Sequence, residues 1–377
     1  MKVAHISSSA RLDGGAELCL IDLIKYELNH GIIPVVFLPT HGEIESALTG
    51  LHVEYEILPY FSWRHRSDEK ELRSSLIYAI KNGINFLAEQ KIRKLLKTKK
   101  IDLVHINTTS VCSGQKAASQ LNIPCIWHIR EFNNNQIEYK FYNAAYARKA
   151  ISTATKCIAV SETISSSYKE FAPKASIVTI YDSMGKPEQE RERPIFSSRT
   201  VQIALIANKT NAKGQIDAVK ALPLLQKAGI NDFNLVLVGK EVNQNYSKQL
   251  KSFVKDNQLE DRVRFLDFCK DPNTILAHTD IALNCSRSES FGRTTVEAMM
   301  MNCLVIGNDN TCTHELLSDG RGLLYKNPID LAEKIKWALL NKQAAEHIAR
   351  QGNQFAMSSF ETGNAEIVKL FNAVCFQ

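Results

Sequence analysis

Glu289 and Glu297 stand eight positions apart in the stretch ESFGRTTVE, with a Phe–Gly step between them. Two carboxylates at close range would be a glycosidase pair, which needs ~5 Å (retaining) or ~6.5–9.5 Å (inverting) between carboxyl groups. Eight helical residues rise ~12 Å, so a close pair here would require a sharply folded loop. A different division of labour fits the residue types. Gly292 lets the chain turn, and the amides of Arg293, Thr294 and Thr295 open a helix whose N-terminus is an anion site. Glu289 before the turn and Glu297 one turn into the helix then each accept hydrogen bonds from a pair of hydroxyls. A ligand with hydroxyl pairs on both sides of a diphosphate is a nucleotide sugar. A plainer account makes Glu297 an acidic first-turn residue favoured by the helix dipole.

Three other places carry residues of the same kind. In SSSARLDGGAE, Gly14 and Gly15 sit between a strand and a helix, where backbone can approach a phosphate closely; an ordinary βα loop would read alike. The dinucleotide fingerprint G-x-G-x-x-G is absent there, which disfavours a nicotinamide dehydrogenase. In ANKTNAKGQ, Lys213 precedes Gly214 and a helix, placing a point charge for a diphosphate, or a solvated surface lysine. In WHIRE, His128 and Arg130 end a strand. The histidine can hydrogen-bond a sugar hydroxyl and the arginine can pair with an anion, and a buried structural histidine reads the same way.

The elements that must position these residues are short apolar runs alternating with helical patterns. KVAHIS, IPVVFLP, IDLVHIN, IPCIWHI and KCIAVS read as strands in the first half, and VQIALIA, FNLVLVG, VRFLDF, IALNCS and CLVIGN in the second. Strands separated by helices imply parallel β-α-β units. The alternation breaks at SMGKPEQERERPIFSSR, a charged stretch with two prolines and the best linker candidate. The expectation is α/β: two doubly wound Rossmann-like domains, 1–183 and 200–355, facing a central cleft, joined by a linker at 184–199. Ligands bind such sheets outside the carboxyl ends of the strands.

A length of 377 residues suits two domains. With 44% hydrophobic and 23% charged residues the chain is of globular type, and its net charge of +6 is mildly basic. That excess is too small, and recognised modules too absent, for a nucleic-acid binder. The nine cysteines are scattered, mostly inside apolar segments, without a C-x-x-C pair, which disfavours a zinc site and points to a reducing cytoplasm. The N-terminus is too short and polar for a secretory signal, and no run of ~18 apolar residues offers a membrane span.

In this order and spacing the chain resembles the retaining glycosyltransferases of the GT-B fold, family 4. ESFGRTTVE is similar to their Glu, seven residues, Glu signature. The likeness continues through GGAE, IDLVHIN, the strand-end His128, AVSETI, AKG, LVLVGK, VRFLDF and HELLSDGRGLLY. The resemblance implies that Glu297 binds the nucleotide ribose and Glu289 the hydroxyls of the transferred sugar. It further implies that Lys213 meets the diphosphate with backbone at Gly14, Gly15 and Gly292 to Thr295, and that His128 lies by the donor sugar. It also implies retention of configuration, no metal cofactor, and a last helix, within 356–377, that returns to the N-terminal domain. Family members usually carry arginine five residues before the lysine; here that residue is Asn208, leaving Lys209 or Arg293 to supply the cation. The usual Tyr-Asn-Gly after the last N-domain strand is Tyr181-Asp182-Ser183.

The function so implied is transfer of a hexose or N-acetylhexosamine, from a UDP-linked donor by family frequency, to a glycan or lipid-linked acceptor in surface-polysaccharide synthesis. KIRKLLKTKK (91–100) has six basic and no acidic residues interleaved with Ile and Leu. Each such charge is worth ~1 kcal/mol beside anionic lipid, which would place a cytoplasmic protein peripherally on the inner face of the cell membrane; a solvated helix face has the same composition. Two alternatives stay open: a nucleotide-sugar epimerase of the same fold, and a non-catalytic nucleotide-binding module.

Overall fold

The computed structural model describes residues 1–377 apart from 13, 67–70, 134–138, 188–190, 192 and 377, with backbone alone at 66 and 71–75. By its internal contacts the chain divides into two units, Met1–Ser183 with Thr362–Gln377, and Met184–Glu361. Each is a parallel sheet flanked by helices.

The strands of the first unit are β1 (Lys2–Ile6), β2 (Ile33–Leu38), β3 (Glu54–Ile57), β4 (Arg64–Arg66), β5 (Leu103–Ile106), β6 (Cys125–Ile129), β7 (Tyr139–Phe141), β8 (Lys156–Ala159) and β9 (Ile177–Thr179). Seven form one parallel sheet in the order β3-β2-β1-β5-β6-β8-β9, while β4 and β7 pair antiparallel as a separate ribbon. The second unit holds β10 (Val201–Ile206), β11 (Phe233–Val238), β12 (Val263–Leu266), β13 (Ile281–Asn284), β14 (Leu304–Asn308) and β15 (Leu323–Tyr325), parallel in the order β12-β11-β10-β13-β14-β15. All ten apolar runs of the sequence are strands. The sequence does not announce β3, β4, β7, β9 or β15. Each has three or four residues, and β3, β9 and β15 are partly exposed edge strands, which need no continuous apolar run because one flank is unpaired.

Valine, isoleucine and leucine from the strands meet helices on both faces. In the first unit Val3, Leu103, Ile126 and Ile158 pack with Leu23 and with Ile367 and Phe371 of the last helix, Gly363–Cys375. That helix starts where a side chain has no room: a Cβ on Gly363 would lie 2.1 Å from the Tyr181 carbonyl oxygen. The second core runs from Leu205 and Leu235 to Leu331 and Ala349.

The described residues of 184–199, which read as a linker, belong to the second unit. Arg191 donates to the carbonyls of Met301 (2.9 Å), Leu276 (3.0 Å) and Thr279. Ile195 and Phe196 are buried in the core. Charged residues marked this stretch as a linker, yet Arg191 and Arg193 reach carbonyls and a carboxylate far along the chain. The carboxylate is Asp280, fully buried, which accepts from both terminal nitrogens of Arg193 (3.1 and 3.2 Å), from Phe196 N (2.9 Å) and from Gln202 N (2.8 Å). Asp280→Ala should therefore cost about 3 kcal/mol, since each buried donor left without an acceptor costs ~1–3 kcal/mol. A urea midpoint within the error of the parent would refute this.

The nine cysteines are free thiols. Among the described residues no helix is long and apolar enough to cross a membrane.

Candidate functional site

In the second unit three loops at the carboxyl ends of β10, β13 and β14 carry the candidate residues. After β10, a short 3-10 turn, Asn211–Lys213, ends on Gly214 with φ 66°. Only glycine fits there, because a Cβ would lie 2.1 Å from the Cys285 carbonyl oxygen. This approach, with Arg287 N donating to Ala212 O at 2.8 Å, joins the Lys213 turn to the loop after β13. Lys213 Nζ thereby reaches Glu289 Oε2 at 2.9 Å. The lysine is 34% exposed and the glutamate 15%, so the pair faces solvent from one side.

Glu289 is held from β14's side as well. Its N–H donates to Thr311 Oγ1 (2.9 Å), and its carbonyl accepts from Cys312 N (3.2 Å). The loop is clamped by Asn310, which donates to the carbonyls of Ser286 and Arg287 (both 3.0 Å), and by a bidentate Arg287–Asp217 pair (both 2.8 Å). Gly292 follows in the left-handed conformation (φ 85°) and starts the helix Arg293–Met300, as its place in the turn required. Glu297 lies one turn in, 13% exposed, with Arg293 Nε at 3.1 Å. Burial raises its carboxyl pKa, and the Arg293 charge offsets part of that.

Four assignments change on inspection. Thr295 does not offer its amide: the N–H donates to Gly292 O (2.9 Å), and the buried hydroxyl accepts from Asn284 Nδ2 (2.7 Å). Thr294 keeps a first-turn amide of the kind that lacks an intrahelical acceptor. Lys209 does not replace the arginine missing at 208. Its side chain is 1% exposed and its ammonium donates to the carbonyls of Gly239 and Leu266, at the ends of β11 and β12. Burial lowers its pKa. Arg293, the other substitute, has its guanidinium on Glu297. Asn208 turns its own side chain to Lys240 N (3.2 Å).

In the first unit, Gly14 caps the helix Gly15–Asn29 with extended backbone (φ −110°), so neither conformation nor turn type demands glycine. A Cβ on Gly14 would meet Glu17 Oε2 at 2.7 Å, while one on Gly15 would meet nothing within 4 Å. The helix start is already answered by a carboxylate: Glu17 is buried and accepts from Ser8 Oγ at 3.2 Å, and burial raises its pKa. That carboxylate opposes the phosphate-cradle reading of this loop.

His128 and Arg130 do not project from the strand end. His128 is fully buried and Arg130 is 7% exposed. Arg130 donates through Nε to Asn107 O (3.0 Å) and through Nη1 to Asp182, so its charge is taken up inside the fold and leaves the acceptor or anion site proposed for it without a cation. His128 Nδ1 lies 3.3 Å from Arg130 Nη2; its Nε2 has no hydrogen-bond partner among the described residues and stands 3.8 Å from Asp182 Oδ1. Burial, with the charges of Arg130 and His105, pushes its pKa well below the usual value. Reading by motif missed Asp182, Asn107, Glu17, Thr311 and Asn310. Glu17 acts locally and the others from elements remote in sequence; Glu17 and Asn107 stood inside GGAE and IDLVHIN, and Asp182 at the place of the usual Tyr-Asn-Gly, without a role assigned to their side chains.

Two family models match the chain: glycosyl transferases group 1 over residues 187–355 and glycosyltransferase family 4 over residues 13–182. The O-antigen biosynthesis glycosyltransferase WclY of Escherichia coli is 35% identical over 95 residues, 25% of this chain; the chain thus spans about a quarter (27%) of that relative's length. Among solved structures, Anabaena HepE in complex with UDP superposes with TM-score 0.78 at 21% identity over 99% of this chain and 100% of that one. A glycosyltransferase from Rickettsia africae reaches 0.81 at 17% identity over 99% and 98%. The lipopolysaccharide outer core galactosyltransferase WaaB, without ligand, reaches 0.72 at 16% over 100% and 99%. At these identities the likeness is one of fold.

Proposed function

We propose, from the premise that the chain belongs to the family 4, group 1 glycosyl transferases of GT-B fold, that it transfers a hexose or N-acetylhexosamine from a UDP-sugar to a glycan or lipid-linked acceptor. The transfer retains anomeric configuration, needs no metal ion, and serves surface-polysaccharide synthesis. One observation carries the reading. Lys213 and Glu289, two residues with separate expected roles on a sugar nucleotide, form one ion pair beside the turn that starts the Glu297 helix. The names of the similar proteins support the pathway and the nucleotide: O-antigen synthesis for WclY, UDP for HepE.

The pair suggests how binding prepares the chemistry. A diphosphate is the stronger partner for the ammonium, so it draws Lys213 from Glu289. The freed carboxylate then accepts hydrogen bonds from the sugar's hydroxyls. Glu297 takes the ribose. The amide of Thr294 together with Lys213 meets the charge on the leaving diphosphate, electrostatic stabilisation set in place before the reaction. The acceptor hydroxyl attacks on the face that the nucleotide leaves, and a phosphate oxygen takes its proton.

The test is a thermal-shift panel of UDP, GDP and ADP in EDTA, then UDP-hexoses and UDP-N-acetylhexosamines. A ligand of the native state adds ~2.7 kcal/mol at a hundredfold excess over Kd. A shift with UDP, larger with one UDP-sugar, followed by product of retained configuration, supports the reading. Binding without turnover of any donor moves the non-catalytic module ahead, a reading that buried Lys209 and Asn208 favour because both withhold a cation. Release of an altered sugar nucleotide without acceptor marks the epimerase.

The membrane contact is proposed on the helix Glu71–Thr98. Leu76, Ile80, Phe86 and Leu87 are 55–68% exposed, and Lys91, Arg93, Lys94 and Lys97 are exposed further along the same helix. Sedimentation with vesicles containing phosphatidylglycerol should exceed that with phosphatidylcholine alone and fall when Lys91, Arg93, Lys94 and Lys97 become glutamine. Equal sedimentation with both would remove the contact.

A further inference from the structure

Thr311 carries a strained backbone. Its φ is 41°, a left-handed value that is an outlier for a β-branched residue. Such strain persists only where the surroundings enforce it, and it gathers at sites that need fixed geometry. Glycine would adopt this φ at no steric cost; what threonine adds is its side chain.

The bonds of that hydroxyl can be assigned. The Glu289 N–H can only donate, so Thr311 Oγ1 accepts there (2.9 Å) and sends its one proton to Asn310 Oδ1 (3.0 Å). With its oxygen taken, the Asn310 amide turns its hydrogens to the carbonyls of Ser286 and Arg287. Cys312 completes the set: its N–H donates to Glu289 O (3.2 Å) and its thiol to Phe291 O (3.1 Å). Asn310, Thr311 and Cys312 thus hold the main chain at 286, 287, 289 and 291 from one helix start. The helix they open, Thr311–Leu317, also packs on the turn that follows. A Cβ on Gly292 would lie 3.1 Å from Leu316 Cδ1 and 3.4 Å from Glu289 Cγ.

The consequence falls on Glu289. Both of its main-chain polar groups are engaged, so its side chain alone remains to answer a ligand. That side chain is 15% exposed and rests on Lys213 Nζ at 2.9 Å.

We propose that Thr311 is a positioning residue for sugar transfer: its strained, left-handed backbone sets the hydroxyl on the Glu289 amide and fixes the carboxylate that meets the transferred sugar's hydroxyls. This rests on the glycosyl-transfer reading of the chain, and every residue in it belongs to the second unit. Thr311 itself touches no sugar. The strain is borne before any donor arrives, so the carboxylate needs no reordering at the moment of reaction.

The test compares three variants of the whole chain. Thr311→Gly and Thr311→Ala both lack the hydroxyl, the first without the backbone strain and the second with it; Thr311→Ser keeps the hydroxyl. Transfer kcat should fall about 10²-fold in the first two, the loss that a ~1 Å misplacement causes, while Kd for UDP moves less than ~threefold. Thr311→Ser should recover most of kcat. Exchange of the Glu289 amide proton, followed by 1H–15N NMR, should be fast in the glycine and alanine variants and slow in the parent and the serine variant. A hydroxyl-free variant with parental kcat and parental Glu289 exchange overturns the proposal, as does a serine variant no better than alanine. Parallel loss of UDP binding overturns it too, by making Thr311 a support of the whole site. If the parent transfers no sugar at all, the functional reading fails, and Glu289 exchange across the variants still judges whether the hydroxyl holds this loop.

Discussion

Glu289→Gln is expected to lose about 10²–10³-fold in transfer rate, the range for removing one preorganised electrostatic group, while UDP binds as before. The carboxylate accepts from Lys213 at 2.9 Å, and its backbone is anchored independently through Thr311 and Cys312. The substitution therefore removes charge without releasing the loop. Lys213, 34% exposed, stays hydrated when its partner goes, so the cost in stability is within the ~0–1 kcal/mol of exposed pairs. UDP carries no transferred sugar, and a freed Lys213 meets the diphosphate at least as well. Single-turnover transfer and calorimetric UDP binding, measured side by side, decide the matter. Transfer within threefold of wild type would remove the sugar-hydroxyl role. Parallel loss of UDP binding would make Glu289 a structural partner of Lys213 instead.

Glu297→Ala should weaken UDP binding by about 1.5–3 kcal/mol, roughly 10- to 150-fold in Kd, as expected for lost hydrogen bonds to a charged acceptor. The side chain is 13% exposed and sits one helical turn past Gly292. The same residue predicts a pH dependence. Ribose hydroxyls are bound by the carboxylate, so affinity is full above the Glu297 pKa and declines below it. Burial raises that pKa above the ordinary 4.5, with Arg293 offsetting only part. The decline on acidification must therefore begin at higher pH than for a solvated glutamate, and it should vanish in Glu297→Ala. Isothermal titration across a pH series checks both statements. An unchanged Kd in the variant would end the ribose assignment.

The two carboxylates were legible as candidates from type and spacing, and Gly292 as a left-handed turn, because a turn between a buried strand and a helix leaves few choices. Residues whose surroundings lie far along the chain were not. Lys209 and Lys213 look alike in ANKTNAKG, yet one is buried under two carbonyl groups and the other faces Glu289. Arg130 reads as a cation waiting for an anion; Asp182, 52 residues later, already holds it. Thr295 reads as an amide donor, and its amide is taken by the carbonyl three residues before it. The charged stretch 184–199 reads as linker because it lacks apolar periodicity, yet Arg191 and Arg193 find buried partners 85 or more residues away, beyond the contacts of Arg193 with nearby Pro194 and Ser197.

What the sequence determined alone is ten of the strands and their parallel arrangement, not the short strands β3, β4, β7, β9 and β15. Apolar runs of strand length separated by helical periods can bury their surface only in doubly wound sheets, and the order of motifs carries the family. Which side chains remain available to a ligand was decided by the tertiary structure. A charge is free or neutralised according to what the packed elements bring within ~3 Å of it. Proximity of that kind, such as Gly214 against Cys285 or Thr311 against Glu289, exists only once the sheets have formed.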